Sequence, residues 1–431
     1  MSKYVRPAAE GADPFGTARL RRGVLDAWAT SPARFREDAN AEEDLVLGGY
    51  RDRLVVELAQ NAADAAARAD TPGRLRLTLK DGVLIAANTG APLDAAGVES
   101  LSTLRASAKR ERYDEHATVG RFGVGFAAVL SVTDEPALVG RHGGVRWSLA
   151  EARELTGETS RHSPGLGDEV RRRDGHVPLL RLPFAAEGTA PDPYDTAVIL
   201  PLRDAAAASL AERLLDAVDD SLLLALPGLE EVVVEVEGRE PRTLRRRDED
   251  AVTVVDDSRD GTTRWRTVAA HGPLDTALLA DRPVEERLRP HWSVTWAVPE
   301  DGEGRPVRPR TAPVLHAPTP SDEPLGFPGV LIASFPLDTT RRHAAPGPLT
   351  DFLVERAADA YTELLAGWRP VTEGAIDLVP GPLGKGELDG ALRQAVLDRL
   401  PRTAFLPPAL PPHGDDELPE ALRPRDAEIV E

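Results

Sequence analysis

The stretch RLVVELAQNAADAAAR, Arg53 to Arg68, decides how the chain is read. At about 100° per residue, Glu57, Asn61 and Asp64 follow one another by four and then three positions and share one narrow helix face. Leu54, Leu58, Ala62 and Ala65 form a second, apolar face. On its own this pattern describes a surface helix with a solvated edge, and only its neighbours give the polar stripe another meaning.

Working outward, a helix is expected around Ala18 to Ala29, followed by the charged piece Arg34 to Asp44. Thr71, Pro72 and Gly73 end the central helix. Arg74 to Lys80 alternates polar and apolar, Asp81 and Gly82 turn the chain, and Val83 to Ala87 returns as an apolar strand, so a hairpin lies against the helix. Asn88 to Arg121 is long for a connector and reads as a lid or binding loop with a short helix. GRFGVGF then opens an apolar helix from Phe126 to Val132. Strands are expected at Ala137 to Val139, Val145 to Leu149, Leu179 to Leu182, Thr196 to Leu202 and Glu231 to Val236, with one helix from Ala205 to Leu224. Without a strict β-α-β rhythm, the expected fold class is α/β in the α+β sense, a two-layer sandwich of mixed β-sheet and helices.

The 431 residues exceed one ordinary core and imply two domains with a further fragment. Residues 1–240 form the first, the charged segment 241–256 the connection, and 257–370 a second α/β unit with strands near Thr262 to Val268, Ser293 to Val298 and Gly329 to Phe335 and a helix from Pro348 to Trp368. Residues 371–431 are proline-rich with one helix, Leu388 to Leu400, and the ending DAEIVE suggests the start of a further region.

Composition narrows the classes. No run approaches 18 apolar residues and residues 1–16 lack an apolar leader core, so neither a membrane span nor a signal peptide is expected. The absence of cysteine fits a cytoplasmic protein without requiring one. With 52 basic against 71 acidic residues the net charge is −19, a field that repels phosphate backbones and argues against nucleic acid as a partner. Only four of the basic residues are lysines, among them Lys109 in the long connector.

Three separated pieces carry chemistry together: ELAQNAADA (Glu57 to Ala65), NTGAP (Asn88 to Pro92) and VGRFGVGF (Val119 to Phe126). Gly120, Gly123 and Gly125 at the start of a helix let backbone N–H groups converge on phosphate, or make a tight structural turn. In order and spacing the three resemble the N, G1 and G2 boxes of the GHKL superfamily of ATPases. TAVILPLR (Thr196 to Arg203), the Ser107 and Lys109 pair in the connector, and ASFPLDTTRR (Ala333 to Arg342) are similar to the heat-shock chaperone branch of the ninety-kilodalton class, nearest to its sacsin-type subfamily.

The resemblance, spanning roughly residues 45–365, implies a Bergerat ATP-binding fold followed by a middle-like domain, with ATP and Mg2+ as cofactors. It implies Glu57 as the residue that orients or deprotonates water at the γ-phosphate, and Asn61 as the magnesium ligand, a role suited to a hard ion that keeps its waters. Asn88 takes the place of the family's adenine-binding aspartate, its amide oxygen able to accept the same bond, and Gly90 lets the backbone approach the base. Thr196 corresponds to a late threonine near adenine. Asp64 supports ribose or phosphate, or merely keeps the helix soluble. Lys109, Gly120, Arg121, Phe122, Gly123, Val124, Gly125 and Phe126 would surround the phosphates. Arg341, with Arg342 beside it, matches an arginine that reaches the γ-phosphate. The implied activity is slow hydrolysis driving conformational change on protein clients, with homodimer formation open, or alternatively an ATP-binding switch with little hydrolysis. A histidine-kinase or DNA-repair module fits less well, since no phosphoacceptor-histidine helix precedes Glu57.

Overall fold

The computed structural model describes residues 4–47, 51–103, 124–250, 252–282, 284–288, 290–317, 319–338, 342–408 and 421–427, and they form a mixed α/β chain. It divides into two units, Met1–Val218 with Leu226–Leu244, and Asp219–Ala225 with Arg245–Glu431.

In chain order the first unit contains β1 (Arg6–Pro7), α1 (Thr17–Thr30), α2 (Pro32–Leu47), α3 (Leu54–Ala69), β2 (Gly73–Lys80), β3 (Val83–Asn88), α4 (Ala95–Thr103), a 3-10 helix Val124–Ser131, β4 (Ala137–Gly140), β5 (Gly143–Arg146), α5 (Leu149–Ser160), α6 (Pro164–Arg172), β6 (Phe184–Glu187), β7 (Thr196–Pro201), α7 (Ala205–Asp216) and β8 (Leu229–Val236). Its sheet runs β1-β6-β5-β4-β7-β3-β2-β8, antiparallel except for the parallel pair β2 and β8. Leu75, Leu77 and Leu79 of β2 stand opposite Asn88, Ala86 and Leu84 of β3, so all six share one sheet face. Arg76 and Thr78 point the other way and both donate to Glu235 of β8, at 2.7 and 3.2 Å.

The central helix is no surface helix. α3 packs on β2, β3, β8, α7 and the 3-10 helix, which bury Leu54, Val55, Leu58, Ala59, Gln60, Ala62, Ala63, Asp64, Ala65 and Ala66. Its alanines are small enough for strands and helices to close on it from several sides.

Elsewhere the elements depart from expectation for identifiable reasons. The charged piece after α1 is helix α2, because Asp38 and Glu42 face inward to buried partners. Trp28 Nε1 donates to Asp38 Oδ2 at 2.9 Å, and Arg181 reaches Asp38 Oδ1 at 2.9 Å and the carbonyl of Ser102 in α4 at 3.0 Å. Leu179–Arg181 is a 3-10 turn and not a strand. Glu42 accepts from both Leu179 N and Leu180 N, at 2.7 and 3.0 Å, while Trp147 Nε1 donates to Leu180 O at 3.0 Å. Side chains thus take the backbone groups that a ladder would use. Burial pushes the Glu42 carboxyl up to about 7, against the pull of those two donors and of Arg181. The expected helix from Phe126 is the 3-10 helix, and the helix expected through residue 224 breaks where Asp219 accepts from Ser221 N at 3.0 Å.

The second unit holds α8 (Asp220–Ala225), β10 (Val252–Asp257), β11 (Gly261–Pro273), α9 (Val284–Arg287), β12 (His291–Glu300), β13 (Val314–His316), β14 (Pro320–Pro324), β15 (Val330–Ala333), α10 (Pro348–Ala366) and α11 (Glu387–Arg399), with the boundary falling inside β9 (Arg242–Glu249). Across the charged segment 241–256, which holds that boundary, Arg242–Glu249 and Val252–Asp257 are strands. Arg247 pairs with Glu249 at 2.9 Å and with Asp256, and Arg264 pairs with Glu249 at 3.0 Å, so alternating charges line a solvated strand face. In the core, Trp296, Phe327 and Tyr361 meet with ring centroids 4.7 to 5.1 Å apart. Trp296 Nε1 donates to Ala357 O at 2.8 Å, and the Tyr361 hydroxyl donates to Leu378 O at 2.6 Å.

Candidate functional site

The corner where β3 ends joins three of the sequence-selected segments. Asn88 and Thr196 are direct partners across β3 and β7, and strand alternation puts both side chains on the same face as Leu84, Ala86, Val198 and Leu200. Both are buried, Thr196 to 9% exposure and Asn88 to 8%. Asn88 Nδ2 donates to Thr89 O at 3.0 Å, an orientation assigned from its hydrogen bonds, which leaves the amide oxygen as acceptor. The Thr196 hydroxyl, buried beside it, has no hydrogen-bond partner among the described residues. Buried hydroxyls are rarely left so, because each forfeits about 1–3 kcal/mol of hydration.

Beyond Asn88 the chain makes a turn that only glycine permits. Gly90 has φ +126°, and a Cβ there would lie 2.5 to 2.6 Å from the backbone of Ala65 and Ala66. The turn therefore rests backbone to backbone on α3, and Ala91 N donates to Ala65 O at 2.8 Å. Thr89 fixes the other side, its N donating to Arg74 O at 3.1 Å and its hydroxyl to Pro72 O at 3.1 Å. On α3, Asp64 precedes Ala65 and is 3% exposed, whereas Asn61, one turn earlier, is exposed. The stripe of Glu57, Asn61 and Asp64 is thus graded, from half-buried through open to closed in.

Glu57 meets the glycine-rich segment. Gly125, in the first turn of the 3-10 helix, stands so close that any Cβ would overlap the Glu57 carboxylate. Phe126 is buried and packs against Trp147 with centroids 5.5 Å apart. Val124 begins the same 3-10 helix. Lys109, Gly120, Arg121, Phe122, Gly123 and Arg341 lie outside the described residues. Arg342, in the second unit, pairs with Asp322 at 3.5 Å, and its N donates to Asp338 at 3.1 Å.

One participant was not foreseen. Asp195, immediately before Thr196, accepts from Gly90 N at 2.8 Å, donates its own N–H to Asn88 O at 2.9 Å and pairs with Arg141. The signal was an acidic residue at the head of a strand, a position that turns supply so often that it points nowhere by itself.

Among the described residues no three His, Cys, Asp or Glu side chains gather as a metal cage, and none of their helices is long and apolar enough to cross a membrane. The corner offers an amide acceptor and an unsatisfied hydroxyl side by side, with an exposed amide and a half-buried carboxylate along α3. Comparison with protein-family models and with curated proteins finds no match to either.

Proposed function

We propose that the protein binds Mg-ATP in a Bergerat-type first unit and hydrolyses it slowly, in the manner of GHKL ATPases of the heat-shock chaperone and sacsin type. The observation that carries this reading is the Asn88 and Thr196 pair, an acceptor beside a buried hydroxyl without a partner among the described residues. An adenine edge, which offers an amine donor next to a ring acceptor, satisfies both groups. Gly90 pressed on α3 supports the same placement, since it brings the strand end to the helix that bears Glu57, Asn61 and Asp64.

Asn61, whose side chain is exposed, would hold magnesium, a hard ion suited to an amide oxygen where no acidic cage is found among the described residues. Magnesium, when bound, neutralises charge on the phosphates. Glu57 orients the attacking water and takes its proton; the water oxygen bonds the γ-phosphorus, the bridging bond breaks, and ADP leaves with the electron pair. The glycine segment holds phosphate, Lys109 adds charge there, and Arg341 is the arginine that the resemblance assigns to the γ-phosphate. Protein clients in the cytoplasm are the proposed partners, in keeping with a net charge of −19 that disfavours nucleic acid.

A second reading, an ATP-dependent switch without useful hydrolysis, is favoured by the neutral Asn88. Phosphate release from Mg-ATP separates the two. Release by the wild type that disappears in Glu57→Ala, with calorimetric ATP binding retained, supports the ATPase; binding without release in both supports the switch, and no binding in either removes both.

A further inference from the structure

We propose that Asp195 is the positioning residue that sets the nucleobase end of the site, holding α3, Asn88 and Thr196 in one register. The inference rests on the nucleotide reading above. Its ground is a chain of contacts through one carboxylate. Asp195 Oδ2 accepts the Gly90 N–H at 2.8 Å, and Gly90 in turn lies against the backbone of Ala65 and Ala66, directly after Asp64. The Asp195 N–H holds Asn88 O at 2.9 Å, so the same residue grips the strand end on both sides of Thr89. Thr196 follows it in sequence and faces Asn88 across the ladder. Without the carboxylate the Gly90 N–H has no partner in the turn, and the turn loses the bond that keeps it seated on α3.

Arg141, whose side chain is largely exposed, pairs with Asp195 from outside, whereas the Asp195 side chain is mostly covered. The bond to Gly90 needs an acceptor oxygen and not a charge, so Asn at 195 keeps it and Ala does not. The described polar partners of Asp195 are Gly90, Asn88 and Arg141, at the strand end, so its effect falls on affinity and not on turnover.

Calorimetry with Mg-ADP and Mg-ATP, steady-state phosphate release, and amide hydrogen exchange over residues 83–92 test this. Asp195→Ala is expected to weaken ADP and raise KM for ATP about tenfold to a hundredfold, with kcat within about twofold of wild type. Exchange over 83–92 should quicken in Asp195→Ala, while Asp195→Asn and Arg141→Ala stay close to wild type in both measurements. Wild-type affinity in Asp195→Ala, equal losses in Asp195→Asn and Asp195→Ala, or a fall in kcat at unchanged KM each overturns the assignment. If the wild type binds neither nucleotide, the reading of the site fails; exchange over 83–92 then still reports whether Asp195 holds the turn, and unaltered protection in Asp195→Ala removes that role too.

Discussion

Two buried polar positions, one in each unit, are finished very differently. Asp389 on α11 is fully buried and accepts three hydrogen bonds, from Gly326 N at 2.9 Å, Lys385 N at 2.7 Å and Arg393 Nε at 2.9 Å. Arg393 also donates to Gly381 O at 2.5 Å and lies over the ring of Phe327. Thr196 is also buried, yet its hydroxyl meets no partner among the described residues. A closed network of the first kind fastens loops to a helix, and removing one member strands the others. An open one contributes little to stability, and its incompleteness is what a ligand can use.

The comparison would break first at Asp389. Asp389→Ala leaves a buried guanidinium and two backbone donors unanswered, and a loss of about 3–5 kcal/mol in urea unfolding is expected; a loss below about 1 kcal/mol would show that the network is ornamental. Next comes His316 of β13, buried with neither ring nitrogen bonded among the described residues. Burial holds its pKa down to about 4, so the folded chain keeps the ring neutral while the unfolded chain protonates it near 6.5. Stability from this residue is fully present above about pH 6.5 and is lost as pH falls toward 4. His316→Leu should flatten that part of the pH profile of the unfolding midpoint, and an unchanged slope would reassign it.

Gly90→Ala is expected to cost about 2 kcal/mol or more, because both the positive φ and the approach to α3 exclude a Cβ. Its companion Gly82, also at positive φ but with open space around it, should tolerate alanine with a smaller loss, about 1 kcal/mol. The smallest effect on folding belongs to Thr196→Val, which removes a hydroxyl without a partner among the described residues. Stability should stay level or rise by up to about 1 kcal/mol, while Mg-ADP affinity measured by calorimetry drops about threefold to tenfold. Stability lost without any change in affinity would make Thr196 a core residue like any other.

What the sequence made legible follows from how local each cause is. α3, the β2–β3 hairpin, β7, β12 and α10 rest on periodicity and punctuation within a dozen residues, and all were readable. The failures share a different cause. Helix α2 and the turn Leu179–Arg181 determine each other across more than a hundred residues, through Glu42 and Asp38, so neither segment carries the answer alone. The arginine-rich strand β9 is masked by the charges that solvate one of its faces. At the site, glycine and asparagine at 88–90 were visible as a motif, whereas Asp195 became meaningful only when β7 laid it beside Gly90.

The buried cluster of Trp28, Asp38, Glu42 and Arg181 also has a consequence in time. The chain is synthesised from its amino end at about 5–20 residues per second, so α1 and α2 emerge roughly seven to thirty seconds before Arg181 and the amides of Leu179 and Leu180 exist to meet them. During that interval the Glu42 carboxylate, destined for the interior, lacks both of its amide donors. The first helices of the protein thus gain these partners only after residues 179–181 have been made.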